Sequence, residues 1–113
     1  MARSQAVLRS RLLKVARIAV QGTLVESYLR CGTPSCGCHR DPALRHGPHT
    51  YLKFRDATGR ATAIYVPRVH VEAIRRAVDA WKELWQISVA LSEGHREAWR
   101  TRLRRRTRAA TGD

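Results

Sequence analysis

Twenty residues in the first half of the chain limit the folds it can adopt more than any other segment does. The segment RCGTPSCGCHRDPALRHGPH, residues 30–49, contains all three cysteines and three of the five histidines. It also contains three glycines and three prolines, which interrupt helices and strands. We therefore expect these residues to connect two regular elements rather than to form one.

Three strands are predicted around this segment. Their residues alternate between the two faces of a strand or are rich in β-branched and aromatic side chains, and they span residues 23–30, 50–55 and 61–66. The DATG sequence at 56–59 is typical of a hairpin turn, because Gly59 can adopt a positive φ. The predicted result is a three-stranded antiparallel sheet over residues 22–67. A Cys/His loop, residues 31–49, joins its first two strands.

An N-terminal helix is predicted before the sheet, over residues 4–20. Leu8, Leu12 and Val15 recur at helical spacing and would form one apolar face. Ser4 is a suitable N-cap, because its hydroxyl can accept a hydrogen bond from a free backbone N–H of the first turn.

The C-terminal part of the chain is predicted to form one long helix, residues 69–105. Its apolar residues repeat every seven positions, as in the row Ala77, Leu84, Leu91 and Ala98. The first half is expected to pack on the sheet, and the half after Ser88 on the N-terminal helix or on another copy of the chain. Gly94 is a candidate for a break, and residues 106–113 are expected to form a basic, disordered tail. The predicted fold class is α+β, in a single domain over residues 1–113.

The cysteine count argues against a disulfide framework, because an odd number cannot pair completely within one chain. Cys31, Cys36 and Cys38 instead offer three thiolates, and zinc binds thiolate and imidazole ligands in a tetrahedron. The fourth ligand must then be a nearby histidine. His46 is the first choice, since the chain returns there beside the first strand, and His49 is the alternative. The sequence thus predicts a structural zinc site.

Two other interpretations of the cysteines stay open: reduced thiols without a metal, and a redox-active or nucleophilic cysteine. Four protein ligands would fill a tetrahedron and leave no open position for a substrate. The sequence contains no carboxylate pair, Ser/His/Asp set or phosphate-binding glycine loop of recognisable spacing. These observations favour a protein without enzymatic activity, and we assign no catalytic residue.

The chain carries a net charge of +13, with 22 Lys and Arg residues against 9 Asp and Glu. Such an excess attracts polyanions, most simply nucleic acid through its phosphates, although it can also serve solubility alone. On the second strand, the basic residues share their face with Tyr51. The candidate nucleic-acid-binding residues lie on the hairpin and at the end of the long helix: Lys53, Arg55, Arg60, Arg100, Arg102, Arg104, Arg105, Arg106 and Arg108.

Residues 20–90, roughly, resemble a family of small prokaryotic proteins of unknown function that are often encoded near transposases. The family's pattern is Arg-Cys-Gly, three variable residues, Cys-x-Cys, and then His-Gly-Pro. The matching positions in this sequence are Cys31, Gly32, Cys36, Cys38, His46, Gly47 and Pro48. His49 stands where the family usually has a tyrosine. The resemblance implies an association with a mobile element and supplies no activity.

The sequence therefore predicts a non-enzymatic, zinc-stabilised accessory protein that binds nucleic acid, with DNA as the expected partner. A second hypothesis is a protein–protein interaction module, whose Trp-rich C-terminal helix forms a homodimer or binds a transposase. A third is a thiol redox protein. No apolar run of about 18 residues and no clear secretory signal is found, which together with unpaired cysteines favours a cytoplasmic protein without a membrane partner.

Overall fold

A computed structural model of the chain describes residues 4–110, the last four of them by their backbone alone. The elements in these residues are α1 (Gln5–Ala16), β1 (Thr23–Leu29), β2 (His46–Arg55), β3 (Ala61–Val66) and α2 (Val71–Ala110). Short 3₁₀ turns lie at Gly37–His39, Pro42–Leu44 and Arg68–His70. The predicted fold class is confirmed, including the Cys/His loop between the first two strands of an antiparallel sheet.

The described chain consists of two compact units. The sheet unit comprises residues 20–79, and the helical unit comprises the residues before 20 and after 79. α2 contributes its first turns to the sheet unit and its remaining residues to the helical unit. Within the described residues, no helix combines the length and the apolar character needed to cross a membrane.

The sheet has the strand order β1-β2-β3. Its register places Leu24, Leu52 and Ile64 side by side, so these residues share one face, the inner face. The core of the sheet unit contains Leu52, Val66 and Val78, and the first turns of α2 therefore cover the inner face. The alternate residues of each strand point to the opposite side, which we call the outer face.

β2 begins at His46, whereas the sequence predicted irregular structure up to residue 49. Ser27 pairs with His49 and Leu29 pairs with His46, and the register of the two strands shifts between these pairs. This bulge accommodates Pro48, because proline has no N–H to donate and needs none where the ladder is interrupted. The glycine and proline signals here mark an irregularity within paired strands and not the boundary of the strand.

α1 begins as predicted, with the Ser4 hydroxyl accepting a hydrogen bond from the N–H of Val7 at 3.2 Å. It is shorter than predicted and ends at Ala16. The chain leaves the helix early because Val20 belongs to the sheet unit, where its N–H donates to the carbonyl of Ala77 at 3.0 Å.

The core of the helical unit forms between α1 and the middle of α2. Leu8 and Val15, on the predicted apolar face of α1, pack with Ala80 and Ile87 of α2. Ile87 is the most deeply buried large side chain of this core, at 1% exposure. The turns of α2 from residue 80 onward thus pack on α1. The sequence predicted this contact only for the half after Ser88, but the buried residues that face α1 begin earlier, within the half expected to pack on the sheet.

α2 is continuous through Gly94 and extends to Ala110, beyond the predicted end at residue 105. A Cβ atom at position 94 would overlap the side-chain amide of Gln5, so this glycine permits the close approach of α1 to α2. Of the predicted tail, residues 106–110 are helical backbone, and residues 111–113 lie outside the described part of the chain.

Candidate metal centre

Two turns bring the cysteines together after β1 ends. Cys31 lies just beyond that end, and a turn closed by the hydrogen bond from the N–H of Cys36 to the carbonyl of Thr33, at 3.0 Å, reverses the chain. Cys38 follows within the 3₁₀ turn Gly37–His39. The strand pairing then fixes the position of His46, which opens β2 opposite the end of β1.

The structure brings the four sequence-predicted ligands to one point. Ligand atoms of Cys31, Cys36, Cys38 and His46 all lie within 4.8 Å of one another, and we call these residues the Cys/His cluster. The sulfurs of Cys31 and Cys38 are 3.6 Å apart, and the sulfur of Cys36 is 3.4 Å from Nε2 of His46. A disulfide needs an S–S distance of about 2.0 Å, and all three cysteines are free.

Two distances within the cluster are close to those between ligands of a tetrahedral metal ion. Bonds of about 2.3 Å to sulfur and about 2.0 Å to nitrogen would place two sulfurs about 3.8 Å apart, and sulfur and nitrogen about 3.5 Å apart. The observed separations of 3.6 and 3.4 Å differ from these values by no more than about 0.2 Å. All four ligand atoms lie within 4.8 Å of one another, so the cluster is compatible with metal binding.

Two hydrogen bonds made by the backbone of Cys31 support the cluster. The N–H of Cys31 donates to the sulfur of Cys38 at 3.3 Å. Nε2 of His39 lies 2.8 Å from the carbonyl oxygen of Cys31, and this contact holds the backbone of Cys31 in place. Sequence analysis missed this role of His39, because the position of a histidine next to Cys38 does not indicate a contact with Cys31.

Interactions within the cluster distinguish its three thiols. A backbone hydrogen bond at Thr33 lowers the pKa of Cys31 from its usual 9.0 to about 6. A backbone hydrogen bond at Cys38, followed by the imidazole of His46, lowers the pKa of Cys36. The N–H of Cys31 acts to lower the pKa of Cys38, but burial and the two other thiols outweigh it and raise that pKa. A bound cation would relieve this repulsion between thiolates.

The alternative fourth ligand, His49, lies elsewhere. It pairs with Ser27 in the sheet, and its ring centroid is 6.5 Å from that of Tyr65. Gly37 has a packing role in the same loop. A Cβ atom at this position would lie 2.9 Å from Cδ1 of Leu44, so Gly37 allows the two 3₁₀ turns of the loop to pack together.

We expect Gly47→Ala to disturb the cluster through the backbone. Gly47 has a φ of +154°, and a Cβ atom there would lie 2.7 Å from the carbonyl oxygen of Ser27. The substitution should therefore shift His46 and lower the melting temperature, with backbone strain of about 1–3 kcal/mol. Gly32→Ala is the matched control, because a Cβ at position 32 meets no atom within 4 Å. Equal melting temperatures for the two variants would contradict this role of Gly47.

The candidate nucleic-acid-binding residues with described side chains are all exposed. Arg55 donates from Nη1 to the carbonyl of Gly59 at 2.9 Å, which holds it beside the hairpin turn. The guanidinium of Arg102 lies 4.6 Å from the centre of the Trp99 ring. The side chain of Arg108 lies outside the described residues. These positions are geometrically accessible to phosphates, and their partner stays a prediction.

One protein family has a model that matches residues 3–76, and it is described as a domain of unknown function, DUF6788. The chain belongs to this family. The DUF6788 segment contains α1, the whole sheet and the Cys/His cluster, and it ends in the first turns of α2. Searches of curated proteins and of solved structures give no significant match. Membership in DUF6788 agrees with the expected family of unknown function.

Proposed function

We propose that the protein is a non-enzymatic DNA-binding accessory protein in which the Cys/His cluster holds a structural zinc ion. The observation that supports the DNA-binding part of this proposal is the exposed, basic segment at the end of α2. Six arginines in this segment are all exposed: Arg96, Arg100, Arg102, Arg104, Arg105 and Arg106. Glu97 is the one acidic residue between positions 96 and 106, and it lies 3.6 Å from Arg100.

The arrangement of these arginines suits a phosphate backbone. Consecutive residues of an α-helix point about 100° apart, so Arg104, Arg105 and Arg106 spread their charge around the helix. The DNA major groove is about 12 Å wide and accepts a helix, with phosphates along both of its walls. A helix that is basic on several sides can contact both walls, which a single basic stripe cannot do.

Zinc is the metal that we assign to the Cys/His cluster. Three thiolates and one imidazole in a tetrahedron are ligands that zinc prefers over the harder cations magnesium and calcium. All four positions would be filled by the protein, so the ion would have a structural role, joining the end of β1 to the start of β2. With a neutral imidazole, the centre carries a charge of about −1. Arg30, Arg40 and Arg45 lie close in sequence and can balance that charge.

A salt titration of duplex DNA binding tests the proposed function. We expect affinity to fall steeply with salt, by about 10³-fold between 50 and 200 mM if some six phosphates are bound. Replacing Arg104, Arg105 and Arg106 together with alanine should reduce the slope of log K against log salt by about 0.9 for each phosphate that the variant no longer neutralises.

The matched control removes three exposed positive charges from α1 and its C-cap, at Arg9, Lys14 and Arg17. If net charge alone attracts DNA, the two triple variants will behave alike, and the assignment to α2 is wrong. Absence of duplex binding at low salt, or an affinity that does not change with salt, would reject DNA binding altogether.

A second candidate function is protein–protein interaction through α2, either in a homodimer or with a transposase encoded nearby. Trp85 and Trp99 are 63% and 55% exposed, and they lie on one helix face at a spacing of two heptads. Exposed tryptophans of this kind are enriched at protein interfaces. Sedimentation velocity on the wild type and on the Trp85→Ala, Trp99→Ala double variant separates the possibilities. A concentration-dependent dimer that the double variant loses supports self-association, and a wild-type monomer at all concentrations rejects it.

A further inference from the structure

The outer face of the sheet is an open surface that neither the Cys/His cluster nor the core of the sheet unit uses. The inner face is covered by α2, and the core residues Leu52 and Val66 both point to that side. The register assigns ten positions to the outer face: Thr23, Val25, Ser27, His49, Tyr51, Lys53, Arg55, Ala61, Ala63 and Tyr65.

Three aromatic rings lie together on the outer face. The ring centroids of Tyr51 and Tyr65 are 5.8 Å apart in an edge-to-face arrangement, and that of His49 is 6.5 Å from Tyr65. Tyr65 is nevertheless 56% exposed. Burial of a tyrosine is favourable, so a surface group of rings that the protein leaves accessible is available to pack against a planar partner.

The charge beside these rings has one sign. Lys53 and Arg55 are exposed and follow Tyr51 along the same side of β2. None of the ten positions of the outer face is acidic, and Glu26 of β1 pairs with Thr50 and so belongs to the inner face. A partner with both flat apolar rings and negative charge complements this surface.

We propose that the outer face binds single-stranded DNA, with bases stacking on Tyr51 and Tyr65 and with phosphates contacting Lys53 and Arg55. In a duplex the base faces are stacked on each other and are inaccessible to side chains, whereas an unpaired strand exposes them next to its phosphates. This inference rests on the proposed function, and it adds a second nucleic-acid surface of a different class from the arginines of α2.

Binding of a fluorescent oligothymidine of about ten nucleotides and of a duplex of the same length tests the inference, with Tyr65→Ala as the main variant. We expect the variant to bind oligothymidine roughly 5- to 150-fold more weakly, the range for the loss of one stacked base. Duplex affinity should be unchanged, because the arginines of α2 stay intact. Tyr65→Phe keeps the ring and should bind like the wild type.

Tyr28→Ala is the matched control, because Tyr28 is 55% exposed and lies in the β1 bulge, outside the outer face. The ring protons of Tyr65 should also shift upfield in NMR spectra when oligothymidine is added, an effect that a purely structural role would not produce. If Tyr65→Ala weakens the binding of neither DNA probe, or weakens the binding of both equally, the inference is overturned while DNA binding stands. Tighter binding of oligouridine than of oligothymidine overturns the assignment to DNA. No salt-dependent binding of either DNA probe rejects the proposed function itself.

Discussion

Cys38→Ser should abolish stoichiometric zinc binding and cause the largest loss of stability of any single substitution in the chain. Cys38 is 1% exposed and is the most buried member of the Cys/His cluster. Its replacement removes one of four ligands and leaves the remaining thiols without a tetrahedral site. Structural zinc contributes about 10–16 kcal/mol in zinc-finger peptides at pH 7, which equals or exceeds the stability of a typical domain, about 5–15 kcal/mol. We therefore expect the sheet unit to lose its cooperative folding.

Elemental analysis of protein purified under reducing conditions measures the first effect, with one zinc per wild-type chain expected and none in the variant. Thermal denaturation with and without a chelator measures the second. His46→Ala and His49→Ala form a matched pair, since both histidines lie in β2 but only His46 belongs to the cluster. If the metal-free wild type, the Cys38→Ser variant and the untreated wild type all melt at the same temperature, the metal has no structural role.

Ile87→Ala should destabilise the helical unit by about 2–5 kcal/mol, because it leaves a cavity in a core that also contains Leu8, Val15 and Ala80. For a chain of this length, the loss corresponds to a decrease in melting temperature of roughly 8–20 °C. Chemical denaturation followed by circular dichroism at the helical band provides the measurement, since α1 and α2 give most of that signal.

Trp85→Ala is the control for this substitution. Trp85 lies two residues before Ile87 but is 63% exposed, so its truncation should change the free energy of unfolding by less than about 0.5 kcal/mol. A larger effect at Trp85 than at Ile87 would mean that α2 presents a different face to α1 from the one described.

The candidate site could be predicted from the sequence because its residues lie close together along the chain. All four members of the Cys/His cluster fall between positions 31 and 46, and the flanking strands required the ends of the loop to meet. The choice of His46 over His49 followed from the same requirement. The hydrogen bond from His39 to the carbonyl of Cys31 had no sequence signal, because it depends on the conformation of the 3₁₀ turn.

The faces of α2 were predicted less well. The seven-residue repeat of apolar residues gave no role to Ala80 or Ile87, although both are buried. Trp85 and Trp99 of the same helix are exposed. A repeat in the sequence does not show which residues face α1, and it is this contact that buries Ala80 and Ile87. The early end of α1 was also missed, because the helical pattern continues past Ala16, whereas in the structure the helix ends there and Val20 hydrogen-bonds to Ala77.

The position of His46 at the first pair of the β1–β2 ladder has a consequence for the order of folding. Loop closure over a short segment costs little entropy, so a metal bound by residues 31–46 can form its centre before the strands pair. Pairing would then extend from a fixed starting point. A slip of one residue would turn Tyr51 and Lys53 into the core and Leu52 into solvent. The ion would thus select which side of β2 becomes the outer face, as well as adding stability.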